Sequence, residues 1–104
     1  MITLIIDTAD NKKNTVGLKI DGKEYSYIEN VKSKKTQIIL PMIEKILKKY
    51  KISLKDISEI KINEGPGSYT GLRVGLSIAN ALSFALKIPI NGQKVGKVIL
   101  PIYK

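Results

Sequence analysis

Carboxylates at the ends of predicted strands are the residues here that could carry chemistry, because the 104 residues include no His and no Cys. Asp7 ends a short apolar run, Glu64 ends another, and Glu44 lies in a predicted helix between them. A two-metal nuclease or a phosphotransferase binds its metal ions through converging carboxylates. Asp7 and Glu64 are therefore candidate metal ligands, with Glu44 as a third. The alternative, favoured by the lack of glycine in residues 7–10, is that Asp7 forms a turn at the end of its strand.

The composition excludes several classes of site. Without Cys or His, the sequence offers no disulfide, no thiolate zinc site and no Ser-His-Asp or Cys-His catalytic group. The apolar fraction of 43% and the charged fraction of 26% are typical of a soluble globular protein. We expect one domain over residues 1–104. We also expect a cytoplasmic location without membrane contact, because the sequence has neither a long apolar run nor a basic signal segment.

The formal charge of +9 allows two interpretations. Seventeen of the 18 cations are Lys, and 18 Ile and six Asn accompany them, so a general bias in amino-acid usage explains much of the excess. Residues 31–61 nevertheless hold nine cations and three carboxylates, which concentrates positive charge around one predicted helix. Such a concentration can attract the phosphates of nucleic acid. A Lys-rich RNA-binding module that uses residues 32–55 is therefore an open alternative.

The order of the apolar segments predicts an α/β fold. Hydropathy alternates on both sides of Asp21 and Gly22, a dipeptide typical of a two-residue hairpin turn. Apolar residues recur at helical spacing from Ile39 to Tyr50, after a possible cap at Thr36. The predicted strands cover residues 2–6, 15–20, 23–28, 57–63 and 88–90, and the predicted helices cover 36–50 and 71–86. This β-β-β-α-β-α-β order predicts a mixed five-stranded sheet, as in one half of a ribonuclease H-like or actin-like ATPase fold.

The second predicted helix is apolar on nearly all sides. Residues 71–86 contain one charge, Arg73, which predicts burial both toward the sheet and away from it. Small residues lie four apart at Gly71, Gly75, Ala79 and Ser83. Another helix can approach closely along such a stripe, either the first helix of the same chain or a helix of a second subunit. A chain of this length has no further layer to cover both helices, which favours association.

A glycine-rich loop leads into this helix. Its residues are Gly65, Pro66, Gly67, Ser68, Tyr69 and Thr70. Backbone amides at the start of a helix attract anions, which suggests a phosphate cradle. The alternative is that the glycines supply turn conformations and that Ser68 or Thr70 caps the helix. The loop lacks the Gly-Lys-Ser/Thr ending of a phosphate-binding lysine loop, so its pattern favours the cap.

The same segment carries a resemblance to a known family. Residues 65–76 resemble the signature G-P-G-S-[FY]-T-G-[LV]-R-[IV]-G of the TsaB (YeaZ) family, which acts in the synthesis of the threonylcarbamoyladenosine (t6A) modification of tRNA. Residues 5–8 are similar to the family's opening I-D-T, and residues 39–43 to its L-L-P-x-I helix. Residues 86–92 are similar to the segment that follows its second helix. The resemblance extends to about residue 93.

This resemblance implies a non-catalytic scaffold with no cofactor, catalytic residue or metal of its own. The partners it implies are a TsaD-like catalytic subunit and a TsaE-like ATPase, which would hold the ATP and metal, with tRNA bound only indirectly. A homodimer is the alternative assembly. In this family the two helices form the dimer contact. The predicted interface consists of Ile39, Ile43, Ile46, Leu47, Gly71, Arg73, Gly75, Ala79 and Ser83.

The sequence departs from the family pattern in two places. Family members usually carry a second domain of similar length, whereas residues 95–100 predict another strand or an extended tail. Lys35 occupies a position where the family commonly has His, so no role of that His is carried over. The scaffold hypothesis stands beside the enzyme that uses Asp7 and Glu64 and the Lys-rich RNA-binding module.

Overall fold

The computed structural model describes residues 1–30 and 39–102. Within them the elements are β1 (Ile2–Asp7), β2 (Lys13–Ile20), β3 (Lys23–Asn30), α1 (Ile39–Lys49), a 3-10 turn (Leu54–Asp56), β4 (Glu59–Ile62) and α2 (Tyr69–Leu86). Two positions used in the sequence analysis lie outside the described residues. They are Thr36, the predicted helix cap, and Lys35, where the family commonly has His.

The four strands form one mixed sheet in the order β3-β2-β1-β4. β1 runs antiparallel to β2 and parallel to β4, which places Leu18 and Ile60 on either side of Leu4. The β2–β3 hairpin turns at Asp21 and Gly22, whose φ angles of 48° and 87° are the positive values that such a turn requires. The predicted antiparallel strands at the start of the chain are therefore confirmed.

The predicted fifth strand is reduced to a single bridge between Ile60 and Ile90. The amide of Ile60 donates to the Pro89 carbonyl at 3.0 Å, and the amide of Asn91 donates to the Ile60 carbonyl at 2.9 Å. Beyond this bridge, the Asn91 side chain accepts from the Ile62 amide at 2.8 Å and donates to the Ile62 carbonyl at 3.0 Å. The Asn91 side-chain amide thus takes the place of the backbone hydrogen bonds that the next pair of a strand would form. The sheet in the described part of the chain has four strands instead of the predicted five.

Both helices cover the sheet and enclose the core. α1 packs on β2 and β3, and α2 packs on β1 and β4. Pro41 lies in the first turn of α1, where a missing amide breaks no helical hydrogen bond. The buried side chains of this helix are Ile39, Met42, Ile43, Ile46 and Leu47. These meet strand residues such as Leu4 and Val16 in one core cluster.

α2 has well-defined ends. Ser68 is its N-cap, and Lys87 ends it in the left-handed conformation with φ of 56°. Its buried residues are Gly71, Leu72, Gly75, Leu76, Ala79 and Ser83, which lie on one side of the helix. No helix in residues 1–30 and 39–102 is long and apolar enough to cross a membrane.

Candidate interaction surface and the signature loop

The glycine-rich loop docks the start of α2 against the end of β1. The amide of Ser68 donates to the Ala9 carbonyl at 2.7 Å, and the Ser68 hydroxyl accepts from the Gly71 amide at 3.2 Å. A Cβ at Gly67 would lie 2.7 Å from both the Cβ and the carbonyl oxygen of Ala9, so only glycine fits there. The capping interpretation of Ser68 is confirmed. The loop acts as a packing element.

The small-residue stripe of α2 faces the chain's own sheet. The Thr8 hydroxyl donates to the Gly71 carbonyl at 2.6 Å, and both groups are buried. A Cβ at Gly75 would overlap the Thr8 hydroxyl and would approach Ile62. Further along the stripe, the Ser83 hydroxyl donates to the Ile88 carbonyl at 2.6 Å. The glycines therefore allow α2 to lie close to β1 and β4, and the neighbour along the stripe is neither α1 nor a second subunit.

This placement corrects the predicted interface. Eight of its nine residues are buried in the core of the chain itself: Ile39, Ile43, Ile46, Leu47, Gly71, Gly75, Ala79 and Ser83. A buried side chain cannot contact a second subunit without opening the core. Arg73 alone among the nine is exposed. The spacing of four that we interpreted as a subunit contact arises from the close packing of a helix on a sheet.

The opposite side of α2 is largely exposed and carries few polar groups. Its exposed residues between the two ends are Arg73, Ser77, Ala81, Phe84 and Ala85, with Val74, Ile78 and Leu82 half-buried beside them. Phe84 is 78% exposed. We call these eight residues the outer face. The sequence predicts burial of α2 on two sides. One side is buried against the sheet, whereas the outer face is open in the described part of the chain, so the predicted burial away from the sheet is not observed.

A groove separates the outer face from the start of α1. It has a volume of about 450 Å³ and is lined by Leu40, Tyr69, Thr70, Arg73, Val74, Ser77 and Ile78. Leu40 is 53% exposed, although it belongs to a helix with a well-buried opposite side. Arg73 donates to the Tyr69 hydroxyl at 3.0 Å and lies 5.4 Å from the centre of that ring. The one charge of the outer face thus borders this apolar groove.

The other flank of α2 is covered by the segment that follows Ile90. The Asn80 side chain donates to the Ile99 carbonyl and accepts from the Ile99 amide, each at 2.9 Å. The amide of Ile102 donates to the Glu64 carbonyl at 2.7 Å. Ile99 is buried, whereas Val98 and Leu100 on either side are exposed. Residues 95 and 96 form a turn, and residues 97–102 form no strand. Of the two sequence-based alternatives for residues 95–100, the strand is therefore not found, and the part from residue 97 is an extended segment held to α2 at Ile99.

The candidate catalytic carboxylates are brought together only in part. Asp7 and Glu64 line one hollow of about 500 Å³ at the end of β1 and β4. Glu44 is exposed on α1 and does not line this hollow. Within residues 1–30 and 39–102, no group of three His, Cys, Asp or Glu side chains could hold a metal ion. The converging carboxylates of a two-metal site are therefore not found in this part of the chain.

Both carboxylates have structural hydrogen bonds. Asp7 accepts from the amide of Ala9 at 3.0 Å, which is the turn predicted at the end of β1, and from the Asn63 side chain at 3.3 Å. Glu64 accepts from the Asn91 side chain at 2.8 Å. The sequence interpretation of Asp7 as a turn-forming residue is confirmed by these contacts.

Comparison with known proteins identifies the family. Residues 28–94 match the family model described as TsaD: tRNA N6-adenosine threonylcarbamoyltransferase. The tRNA threonylcarbamoyladenosine biosynthesis protein TsaB of Buchnera aphidicola subsp. Schizaphis graminum is 50% identical over 68 residues, which are 65% of this chain and 32% of that protein. The chain belongs to the TsaB/YeaZ family. The TsaB of Escherichia coli K12 is 39% identical over 92 residues, which are 88% of this chain and 39% of that protein.

Solved structures agree with the fold of this TsaB/YeaZ family member. YeaZ from Pseudomonas aeruginosa superposes with a TM-score of 0.82 and 28% identity over 89% of this chain and 43% of that one. Thermus thermophilus RuvC, solved with a Holliday junction, has a TM-score of 0.52 and 14% identity over 86% of this chain and 62% of that one. The RuvC likeness shows the fold alone. The chain spans about a third to a half of the length of the TsaB proteins that it matches.

Proposed function

We propose that the chain is a non-catalytic scaffold subunit in the synthesis of threonylcarbamoyladenosine in tRNA and that it binds a TsaD-like catalytic subunit through the outer face of α2. The observation that carries this proposal is the exposure of that face. Phe84 is 78% exposed, and Arg73 is the single charge among the eight residues. Exposed apolar side chains grouped on one side of a helix favour an interaction site.

The shape of the outer face supports a helical partner. The groove lies between Leu40 of α1 and Val74 of α2, and the small residues Ala81 and Ala85 are exposed on the same face. Two helices that pack by ridges into grooves need this arrangement. The match to the TsaD family model indicates that a TsaD-like subunit would offer a similar pair of helices. The two related surfaces could then meet about a pseudo-twofold axis.

The same face would also serve a homodimer. Two copies of the chain related by a twofold axis would bring the outer faces together, with each Phe84 contacting the other copy. Because one face cannot hold two partners at once, self-association and binding of a TsaD-like subunit should compete. A TsaE-like ATPase, as a third member of the assembly, would require a different surface.

Two substitutions test the interface directly. Phe84→Asp and Ala81→Arg place a charge on the outer face without entering the core, and we expect each to weaken binding of a TsaD-like subunit by at least about tenfold. Isothermal titration calorimetry measures this loss. Gln93→Arg adds the same charge as Ala81→Arg at an exposed position away from the groove and serves as the matched control. Unchanged binding by both outer-face variants would refute the interface.

The enzyme that uses Asp7 and Glu64 remains the second candidate, since both carboxylates line one hollow. Magnesium-dependent cleavage of RNA, or phosphoryl transfer, that is lost in Asp7→Asn would support it and would contradict a non-catalytic role. On the scaffold account, the purified chain shows no such activity, and Asp7→Asn changes stability alone.

A further inference from the structure

A second surface lies on the other flank of α1, where this helix meets β3. Its hollow has a volume of about 320 Å³ and is lined by Ser26, Tyr27, Lys45, Ile46, Lys49 and Tyr50. We call it the basic-aromatic hollow. Leu40 lines the groove toward α2, whereas Lys45 and Lys49 line this hollow toward β3. The two surfaces therefore lie on opposite flanks of α1, and a partner on one leaves the other free.

Two tyrosines and two lysines line this hollow. The rings of Tyr25 and Tyr50 lie 4.5 Å apart between centres and are tilted by 32°. The Lys49 ammonium lies 5.6 Å from the centre of the Tyr50 ring. The Lys45 ammonium lies 5.4 Å from the centre of the Tyr27 ring and donates to the Tyr27 hydroxyl at 3.2 Å. Each lysine thus lies near an aromatic ring at the rim of one concavity.

The electrostatics favour an anionic ligand. Lys48 and Lys49 occupy the last turn of α1, and Lys51 lies two residues beyond its end. The hydrogen bond to Tyr27 and the nearby Glu29 carboxylate raise the pKa of Lys45. Lysines contact phosphates as point charges without reading a base, and aromatic rings stack on unpaired bases of any sequence.

We propose that the basic-aromatic hollow binds single-stranded or looped RNA, with an unpaired base against the Tyr27 and Tyr50 rings and the neighbouring phosphates on Lys45 and Lys49. A base that enters the hollow takes the place of the ammonium groups over the rings, and the flexible lysine side chains turn to the phosphates. This inference rests on the proposed function in one respect: tRNA is the RNA that a t6A assembly would offer. It replaces the expectation of purely indirect contact with tRNA.

The test uses the full chain and two fluorescein-labelled probes, an oligouridine of about twelve nucleotides and an RNA duplex of equal length. In fluorescence anisotropy at about 50 mM salt, we expect the single strand to bind more tightly than the duplex. Lys45→Gln with Lys49→Gln should reduce the slope of log affinity against log salt by about 1.4, which corresponds to two lost phosphate contacts. Lys19→Gln with Lys55→Gln removes the same charge at exposed positions outside the hollow and should leave that slope within about 0.3 of the parent value.

Substitutions of Tyr50 test stacking separately from charge. Tyr50→Leu should weaken binding of the single strand at least about fivefold. Tyr50→Trp keeps a stacking surface and introduces the one Trp of the chain, so its fluorescence should be quenched by the oligouridine. Circular dichroism melting checks that each variant folds.

Three outcomes would overturn the inference. The first is that the single strand does not bind, and the second is that both lysine double variants reduce the salt slope equally. The third is that heparin binds as tightly as RNA while Tyr50→Leu binds the single strand as well as the parent does. Binding of a TsaD-like subunit by the same variants is measured in parallel. Loss of RNA binding with retained subunit binding supports the inference. RNA binding without any subunit binding refutes the proposed scaffold function and leaves the inference standing.

Discussion

At the scale of single residues, Gly75 shows why a glycine pattern in a helix is ambiguous. Its missing side chain leaves room for the Thr8 hydroxyl, which in turn donates to the Gly71 carbonyl. A stripe of small residues has the same appearance in a sequence whether a strand or a second subunit fills the space beside it. Burial in the structure separates these cases, and here the sheet fills the space.

This contact gives a prediction for Gly75→Ala. The added methyl group collides with the Thr8 hydroxyl, and we expect the free energy of unfolding to fall by about 1–3 kcal/mol. Urea denaturation measures the change. Thr8→Ala removes the colliding oxygen, so the double variant should lose less stability than the sum of the two single variants. Strictly additive losses would show that the two positions do not interact.

Ala79 and Ala81 form a second residue-scale test, because they are two positions apart in α2 but differ in burial. Ala79 is fully buried, whereas Ala81 is exposed on the outer face. We expect Ala79→Arg to unfold the chain and Ala81→Arg to leave its melting temperature within a few degrees of the parent. Differential scanning calorimetry distinguishes the two results. Equal melting temperatures for both variants would contradict the orientation of α2.

At the scale of elements, the hydropathy periods predicted most of the fold. The alternation around Asp21 and Gly22 and the helical spacing after Ile39 each correspond to an observed element. The prediction of a fifth strand was wrong because the Asn91 side chain makes the hydrogen bonds to the Ile62 backbone that a longer strand would make. When a side chain takes the place of a backbone hydrogen-bond partner, the hydropathy pattern of the sequence does not change.

The candidate site was less predictable than the fold. The apolar excess of α2 predicted burial on two sides, and the structure shows burial on one. The residues predicted for the interface lie on the side that packs on the chain's own sheet. The one available clue was Phe84, whose angular position on the helix lies opposite the stripe of small residues. The Lys-rich alternative over residues 32–55 included Lys45, Lys49 and Tyr50. The hollow itself could not be located from the sequence, because Tyr27 on β3 reaches these residues only through the packing of β3 on α1.

The extended segment on α2 gives an element-scale prediction. Asn80 holds Ile99 by two hydrogen bonds of 2.9 Å, so Asn80→Ala should free this segment. We expect the protection of the Ile99 amide against hydrogen exchange to fall by at least about tenfold, while amides of β1 keep theirs. Ser77→Ala changes a neighbouring residue that lines the same flank and is the control. Equal protection in both variants would indicate that apolar contacts alone hold the segment.

At the scale of the whole molecule, α1 and α2 divide the surface into two regions of different chemistry. The outer face of α2 is apolar with one charge, whereas the flank of α1 toward β3 combines lysines and tyrosines. A subunit that joins a catalytic partner to an RNA substrate needs such a separation, since one ligand must not displace the other. The scaffold proposal and the RNA inference are therefore compatible in one complex and can fail independently.

The central claim is that the outer face contacts a TsaD-like subunit, and site-specific photocrosslinking tests it most directly. Benzoylphenylalanine is placed at position 84 on the outer face or at position 28, where Ile28 is 54% exposed on β3. After irradiation with a TsaD-like subunit, we expect a crosslinked heterodimer from position 84 and none from position 28. A crosslink from position 28 alone, or no crosslink from position 84 in a mixture that still forms the complex, would contradict the account.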